Sequence, residues 1–491
     1  MSPVLVLVTI LCYFLMLFTV SYITGRKSDN QGFFIGNRKS PWYIVAFAMI
    51  GASLSGVTFV SVPGMVGVNS FAYLQMVLGF IVGQLIIAYV LTPLYYRMNL
   101  ISIYGYLENR FGTSSHKTGA WFFFISKMSG AAVRLFLVCL ILQMLVFTPL
   151  HISFGVNVAI SVIVVWLYTF QSGVKSLIWT DSLKTLCLIT AVALCIYYIA
   201  SSLHLDFNGI CSTIYNSKLS RVFFFDDVNA KQYFFKQFLA GVFTMIAMNG
   251  LDQDMMQRNL SCKNIKESQK NMLTSIMLQS IVIAMFLMLG VLLYTFTEQN
   301  GIQNPSKSDE LFPMIATGGY FPIIVGILFI IGLVSAAFSA AGSALTAMTT
   351  SFTVDILKIK DKSDEQITHI RKRVHIGMAI LMGLSIIIIN VLNNTSVIDA
   401  VYILVSYTYG PILGMFAFGI LCKRKVRDRY IPIIAILSPI LCYILQTNSE
   451  AWFNGYSFSY ELLIFNALFT CIGLWLASIG QGKITQIKQT V

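Results

Sequence analysis

The sequence predicts an all-α integral membrane protein of about thirteen transmembrane helices, and two observations carry that prediction. Hydrophobic residues make up 57% of the 491-residue chain and charged residues 11%, against about 25% charged in soluble domains. Apolar runs of about 18 or more residues, each long enough to cross ~30 Å of hydrocarbon, recur from end to end. The whole chain, residues 1–491, is therefore expected to form a single membrane domain.

Each apolar run is expected to be one span of the membrane, with a polar loop on either side. The longest polar stretch is about thirty residues, 201–233, so we expect no separate soluble domain. Numbered in chain order, spans one to thirteen are expected at about 3–24, 42–68, 70–96, 118–146, 152–170, 176–200, 234–250, 272–296, 321–350, 374–393, 398–421, 430–446 and 459–479.

The positive charges predict how the chain is oriented. With the first loop in the cytoplasm, 25 of the 33 Lys and Arg residues fall in cytoplasmic loops or the tail, which is the positive-inside bias. The N-terminus is then outside, the C-terminus inside, and the location is a plasma (inner) membrane. The net charge of +13 is expected to lie beside anionic lipid and does not indicate nucleic-acid binding.

Two spans are interrupted, and the interruptions lie five spans apart. Span two contains Pro63-Gly64, and span seven turns polar at 249–253. Freed backbone inside a bilayer is tolerated where it is buried in protein or lines a cavity. Because five spans per unit reverse the direction of entry, we expect two inverted five-helix repeats, residues 42–200 and 234–421. Span one (3–24) and the two spans of 430–479 are then peripheral.

Span six carries two charged residues, Asp181 and Lys184, three positions apart. Charges in hydrocarbon are costly and usually face a protein interior or a watery path. Three residues along a helix rotate the side chain by about 300°, so both point in roughly the same direction. The pair indicates a functional site, and a structural ion pair between the two residues is the alternative.

Span four carries Lys127 and Arg134 on about the same helix face. The planar guanidinium of arginine suits a carboxylate through two parallel hydrogen bonds. Arg134 therefore indicates a carboxylate-bearing solute. The alternative is that Arg134 pairs with a protein carboxylate or with freed backbone.

Seven segments resemble the sodium/solute symporter family over nearly the whole chain, and they are closest to a bacterial branch of it. They are the loop from Thr24-Gly25-Arg26-Lys27 to Asn37-Arg38, SGVTFVSVPG (55–64), YGYLENRFG (104–112), WTD (179–181), GLDQDMMQRNL (250–260), SALTAMTTSFTVDIL (343–357) and YTYGPILG (407–414).

The resemblance implies a leucine-transporter-like fold that works by alternating access, with Na⁺ as a possible coupling ion and no other cofactor. It also implies a small polar solute, which a carboxylate would suit. The family's sodium site carries over to the carbonyls of Gly56 and Phe59 in span two. In span nine it carries over to the carbonyl of Ala336 and the side chains at 339 and 340, with Asp181 supporting the region.

The chain departs from that pattern in three places. Ala340 replaces the second serine of the pair that begins at Ser339, Gly342 stands where the related branch has Asp, and Lys184 stands where Gln is usual. Two oxygens are lost and one fixed cation is gained. The hypothesis is that Lys184 takes the place of the bound sodium, which makes transport proton-coupled or facilitative instead of sodium-driven.

The residues expected to bind the solute share a hydrogen-bonding side chain near a break or facing the expected cavity, and each has the alternative of satisfying freed backbone. They are Thr58, Ser61, Gln75, Arg134, Asn249 and Gln253.

Two other classes of function compete with a transporter. A transporter-derived solute sensor would need an output partner, and the tail after Leu476 is short. An enzyme would need a convergent catalytic set, and the sequence shows no metal motif or Gly-rich phosphate loop. The expected partners are a small-molecule solute and the lipid bilayer, and the oligomeric state is left open.

Overall fold

A computed structural model describes residues 3–25, 33, 38–54, 56–170, 173–357, 363–392, 397–456 and 458–482. Its helices follow the expected spans in order. They are Pro3–Gly25, Trp42–Ser53, Gly56–Asn69, Tyr73–Ile86 continuing to Thr92–Arg97, Gly105–Arg110, Thr113–Leu142, Phe154–Thr169, Gly173–Ser202, Phe207–Asn216, Phe234–Met245, Gln253–Asn259, Ile265–Gln299, Leu311–Thr317, Ile323–Ser351, Asp364–Leu392, Val397–Leu421, Ile431–Thr447, Ser449–Trp452 and Leu462–Ala477.

The apolar helices agree with the membrane-spanning fold that the sequence predicts. Within the described ranges, eight helices are long and apolar enough to cross a bilayer, or up to ten when each of two bent pairs is taken as one span. Three shorter apolar helices, Val4–Val20, Phe154–Thr169 and Leu462–Ala477, lie where the remaining expected spans fall. The count of thirteen stays a prediction.

Span two breaks earlier than the sequence predicts. The first helix ends at Ser53 and the second begins at Gly56, and the second continues through Pro63. The prediction of a break at Pro63-Gly64 was therefore wrong. Proline removes a single backbone donor, and close packing against span eight holds the helix together there, since Tyr294 donates a 2.7 Å hydrogen bond to the carbonyl of Gly64.

Span seven breaks where the sequence predicts. Its first helix runs through a π turn to Gly250, the next begins at Gln253, and the two directions differ by 70°. The carboxylate of Asp252 caps the second helix by accepting a 2.8 Å hydrogen bond from the amide of Asp254. Tyr95 donates a 3.0 Å hydrogen bond to the freed carbonyl of Gly250. The broken backbone is thus satisfied inside the protein, as a bilayer requires.

Glycines bring spans three and seven into backbone contact. A Cβ built at Gly79 would lie 2.8 Å from the amide nitrogen of Val242, and one built at Gly241 would lie 3.0 Å from the carbonyl carbon of Met76. A Cβ at Gly83 would lie 2.6 Å from the carbonyl oxygen of Val242. Small residues permit such close approach of membrane helices.

The start of span four and the end of span nine meet at a buried carboxylate, that of Asp355. It accepts 2.7 Å hydrogen bonds from the hydroxyls of Ser102 and Ser351, and it lies 2.9 Å from the imidazole Nε2 of His116. Gln253 holds the neighbouring loop through 2.9 Å hydrogen bonds with the backbone of residues 101 and 103. These contacts tie the loop after span three to span seven on one side and to span nine on the other.

Candidate functional site

A lysine of span six bonds to span two in the helical turn before its break. Lys184 is fully buried, and its ammonium donates a hydrogen bond to the carbonyl of Gly51. Gly51 lies in the last turn of the helix that ends at Ser53, where carbonyls lack intrahelical partners and the helix dipole favours a positive charge. A Cβ at Gly51 would lie 2.7 Å from the carbonyl oxygen of Asp181. The glycine therefore permits the close approach of spans two and six that this contact needs.

Asp181 pairs with Arg258 instead of Lys184. Its Oδ2 atom accepts hydrogen bonds from Nε of Arg258 at 3.1 Å and from Nη2 at 2.9 Å. Its Oδ1 atom accepts a hydrogen bond from the hydroxyl of Ser339 in span nine. Both charged side chains are almost completely buried. The ion pair that the sequence offered as an alternative, Asp181 with Lys184, is not among the ion pairs of the described residues.

Arg258 joins three elements. Besides Asp181 in span six, its guanidinium donates to the carboxylate of Asp254 one turn earlier in the half-helix of span seven. It also donates to the hydroxyl of Ser343 in span nine. A buried carboxylate is stable when it is paired in this way. The half-helix is thereby fastened to both neighbouring spans.

A second buried pair lies beside the first. The ammonium of Lys127 is 3.0 Å from Oδ2 of Asp252 and 2.8 Å from Oδ2 of Asp254. The hydroxyl of Tyr409 donates to Asp252 as well. With its two backbone donors in the cap, Asp252 has its acceptor sites filled by the protein. Together the two pairs connect spans four, six, seven, nine and eleven.

A cavity lies between the two broken spans and span four. Arg134 is one of its lining residues, and its Nε atom is buried without a hydrogen-bond partner. Arg134 takes part in no ion pair of the described residues. The other polar residues of the wall include Ser53, Thr58, Ser126, Lys127, Thr244, Asn249, Asp252, Gln279 and Tyr409, and Tyr73 and Phe80 add aromatic surface.

Three of the six predicted solute residues line this cavity: Thr58, Arg134 and Asn249. The other three do not. Gln75 bonds the loop between spans six and seven instead, donating to the carbonyl of Gln232 at 2.8 Å and accepting from the amide of Phe224 at 3.1 Å.

Gln253 and Ser61 are also turned away from the cavity. The side-chain amide of Gln253 is engaged with the loop backbone at residues 101 and 103. The hydroxyl of Ser61 is buried in span two without a hydrogen-bond partner. Placement on the broken spans did not distinguish the faces of the helices, which explains the differences at Ser61 and Gln253. Gln75 lies in the unbroken span three, where the sequence did not show that the loop would bond it.

The predicted ion-binding residues lie at the contacts between spans two, six and nine. A Cβ at Gly56 would lie 3.4 Å from the carbonyl oxygen of Leu333, one turn before Ala336 in span nine. The ring of Phe59 packs on Phe329 of span nine with centroids 5.6 Å apart. Ser339 is bonded to Asp181, and Ala340 offers no side-chain oxygen.

The space beside Gly342 is filled by a tyrosine. The hydroxyl of Tyr168 in span five donates to the carbonyl of Phe338, and a Cβ at Gly342 would lie 2.6 Å from the ring carbon Cζ of Tyr168. No side chain fits at position 342 while the phenol is there. An aspartate at this position is sterically excluded in this arrangement.

The sequence reasoning did not assign Asp252, Asp254 or Arg258 to the site. All three lie in the segment GLDQDMMQRNL, which was noted for its resemblance without a role for its charges. One signal was present: Asp254 and Arg258 are four residues apart, the spacing at which opposite charges meet on a helix. Their partners in spans four, six and nine are not visible from spacing.

Comparisons with known proteins agree with this fold. The model of the sodium:solute symporter family matches residues 33–428. A sodium/sialic acid symporter of Aliivibrio fischeri is 24% identical over 461 residues, covering 88% of this chain and 86% of its own. One of Proteus mirabilis is 24% identical over 477 residues, covering 91% of each.

More distant relatives and a solved structure give the same result. The sodium-coupled monocarboxylate transporter 1 of Mus musculus is 23% identical over 411 residues, covering 82% of this chain and 66% of its own. The substrate-bound outward-open structure of a Na⁺-coupled sialic acid symporter superposes with a TM-score of 0.83 at 20% identity, covering 98% of this chain and 99% of that one. The overall fold is therefore shared.

Proposed function

The chain belongs to the sodium:solute symporter family, and from this premise we propose that it carries a small carboxylate-bearing solute without a bound sodium ion. Its relatives are multi-pass membrane transporters and not enzymes. The proposed cycle is alternating access between two inverted repeats, residues 42–200 and 234–421. In the proposed topology, the N-terminus is outside and the C-terminus is in the cytoplasm, as the distribution of positive charges predicts.

The unpaired arginine in the cavity is the observation that carries the solute proposal. Lys127 has two aspartates as partners, whereas Arg134 faces the cavity with its Nε atom unbonded. A buried guanidinium nitrogen without a partner is costly unless a bound group supplies its hydrogen bond. A carboxylate supplies two in parallel. Two of the relatives are named for sialic acid and one for monocarboxylates, so acidic solutes are a consistent choice.

The proposal about sodium is supported by the side chains at the expected ion site. Na⁺ as the coupling ion is consistent with the relatives, whose names state sodium coupling. In this chain, the hydroxyl of Ser339 donates a hydrogen bond to Asp181, Ala340 has no side-chain oxygen, and Tyr168 fills the space at Gly342. A hard cation prefers several oxygen ligands, and these positions offer few. Meanwhile Lys184 supplies a positive charge at the end of the broken helix.

The experiment is solute exchange in proteoliposomes loaded with the same solute, with sodium or choline as the cation on both sides. The labelled probes are N-acetylneuraminate, lactate and pyruvate. We expect equal uptake of the transported probe in the two salts. Uptake that needs sodium would refute the sodium proposal.

The arginine is tested in the same assay by charge and shape. Arg134→Gln is expected to abolish uptake, whereas Arg134→Lys keeps part of it because the charge remains without the bidentate geometry. The matched control is Arg221→Gln, which removes an exposed outer arginine that pairs with Asp226 and is expected to transport like wild type. Full uptake by Arg134→Gln, or no uptake of any carboxylate, would refute the carboxylate proposal.

A further inference from the structure

The charges around the cavity point to a restriction on the transport cycle. We propose that the chain is an obligatory anion exchanger, which brings one carboxylate in only when it takes another out. This inference rests on the proposed function, since it takes the solute to be an anion and the bound cation to be the fixed lysine. It adds a mode of transport that neither of those two points contains.

The charges beside the cavity do not balance. Three acidic side chains, Asp181, Asp252 and Asp254, are shared between two basic partners, Lys127 and Arg258. This paired group has a formal charge of −1.

Two further basic side chains lie outside the pairs. Lys184 is bonded to the neutral carbonyl of Gly51, and Arg134 faces the cavity. Lys184 lies one turn from Asp181 in the same helix, so it is close to the paired group in the protein interior. When Lys184 and Arg134 are added to the paired group, the formal charge of the empty site is +1.

A bound monocarboxylate brings the site to neutrality. Its negative charge opposes that of Arg134, and the remaining charges already cancel. Charges separated from water in a low-dielectric interior interact strongly and are costly when unbalanced. The loaded site is therefore much easier to close off from water than the empty one.

Alternating access requires that the site be closed on both sides at some stage of each turn. A transporter that binds a mobile cation can release that cation with the solute. Its empty form then no longer carries the cation's charge when it returns to the starting conformation. Lys184 is covalently fixed and cannot leave. Without solute, the protein must therefore change between its two open conformations with an unbalanced positive charge in the closed site. That conformational change is slow. With solute bound, the protein changes conformation readily in both directions, so one anion enters as another leaves.

Exchange of one monocarboxylate for another also moves no net charge. The anion that enters is matched by the anion that leaves, and the protein carries the same charge in both directions. The membrane potential consequently has no influence on the exchange rate. A net flux of the anion would move charge and would respond to the potential.

The test compares uptake into proteoliposomes that contain the transported carboxylate with uptake into liposomes that contain none. Both are measured in choline with the full-length wild-type protein. We expect initial uptake into loaded liposomes to be about tenfold faster or more, and unchanged when a potassium gradient with valinomycin makes the interior negative. Equal uptake into empty liposomes, or uptake there driven by an imposed pH gradient, would overturn exchange and leave sodium independence intact.

A change of Lys184 separates charge from structure. Lys184→Met removes the positive charge, so the empty site becomes neutral and the ratio of loaded to empty uptake is expected to fall to about one to three. Lys184→Arg keeps the charge and is expected to keep the wild-type ratio. An unchanged ratio in Lys184→Met would overturn the charge argument. If Lys184→Met does not fold, Lys184→Gln is measured in its place, and the wild-type comparison still decides.

The two proposals fail differently. Strict sodium dependence in loaded liposomes refutes the sodium proposal, whatever the ratio of loaded to empty uptake. If no carboxylate of the panel is taken up, the carboxylate proposal fails and exchange fails with it. If uptake is independent of sodium but equal in loaded and empty liposomes, exchange alone fails.

Discussion

Arg258 and Lys184 offer a direct comparison of what a buried cation does for stability. Both are fully or almost fully buried, and both can be replaced by methionine, which is similar in length and uncharged. Arg258→Met leaves Asp181 with the hydroxyl of Ser339 as its remaining side-chain partner. Asp254 still keeps Lys127 at 2.8 Å. Lys184→Met leaves one neutral carbonyl without its donor.

The two substitutions are expected to lower the free energy of unfolding by very different amounts. Removing one partner of a buried ion pair costs about 3–5 kcal/mol, because the other charge is left uncompensated. We expect that full cost for Arg258→Met, because Asp181 is 0% exposed. Lys184→Met loses one charge-assisted hydrogen bond of about 1.5–3 kcal/mol, and the relief from burying an ammonium offsets much of it. Its net effect is expected to stay within about 1 kcal/mol of wild type.

The assay is equilibrium unfolding of purified protein in mixed micelles with an increasing fraction of SDS, followed by tryptophan fluorescence. A gap of at least about 2 kcal/mol between the variants corresponds to about 30-fold in the unfolding constant. The double variant Arg258→Met/Asp181→Asn is expected to recover part of the loss, because the stranded charge is removed as well. The reasoning is wrong if Arg258→Met is as stable as wild type or more stable than Lys184→Met.

Three further changes test the packing and the inner end. Gly342→Ala is expected to lower the free energy of unfolding by about 1–3 kcal/mol, because the new methyl collides with Tyr168; a wild-type value in the same titration contradicts it. Gly241→Ala is expected to cost a similar amount, because its methyl presses on the backbone of Met76; a loss below about 0.5 kcal/mol would disagree. Asp355→Ala leaves two serine hydroxyls and one imidazole without their acceptor. Hydrogen exchange of residues 99–116, followed by mass spectrometry, is expected to become faster, and an unchanged rate would show that this carboxylate does not hold the loop.

The fold class could be predicted from the sequence because hydrocarbon imposes a simple length and composition on every span. The family prediction from the seven segments is confirmed by the match over residues 33–428. The break of span seven was predicted because polar residues interrupt an apolar run. The break of span two was misplaced because the second helix continues through Pro63, where Tyr294 of span eight bonds the carbonyl of Gly64. Local composition does not reveal that contact.

The candidate site was predictable in part. Arg134 could be found because an arginine inside an apolar span needs a protein or solvent environment. The partners of Asp181 could not be found from the sequence. The directions of the Asp181 and Lys184 side chains differ by about 60° around the helix axis. Because of that difference, Asp181 contacts Arg258 and span nine, whereas Lys184 contacts span two.

The glycine contacts between spans three and seven restrict how these helices can move. Sliding requires a deformable layer of side chains, and at Gly79 and Gly241 the two backbones touch without one. The two helices are therefore expected to move together as one rigid unit. Gln75, on the same helix as Gly79, also holds the loop between spans six and seven. When this helix pair tilts, the loop that contains Phe224 and Gln232 is expected to move with it. A fluorescent label on that loop would then report the motion of the helices within the membrane.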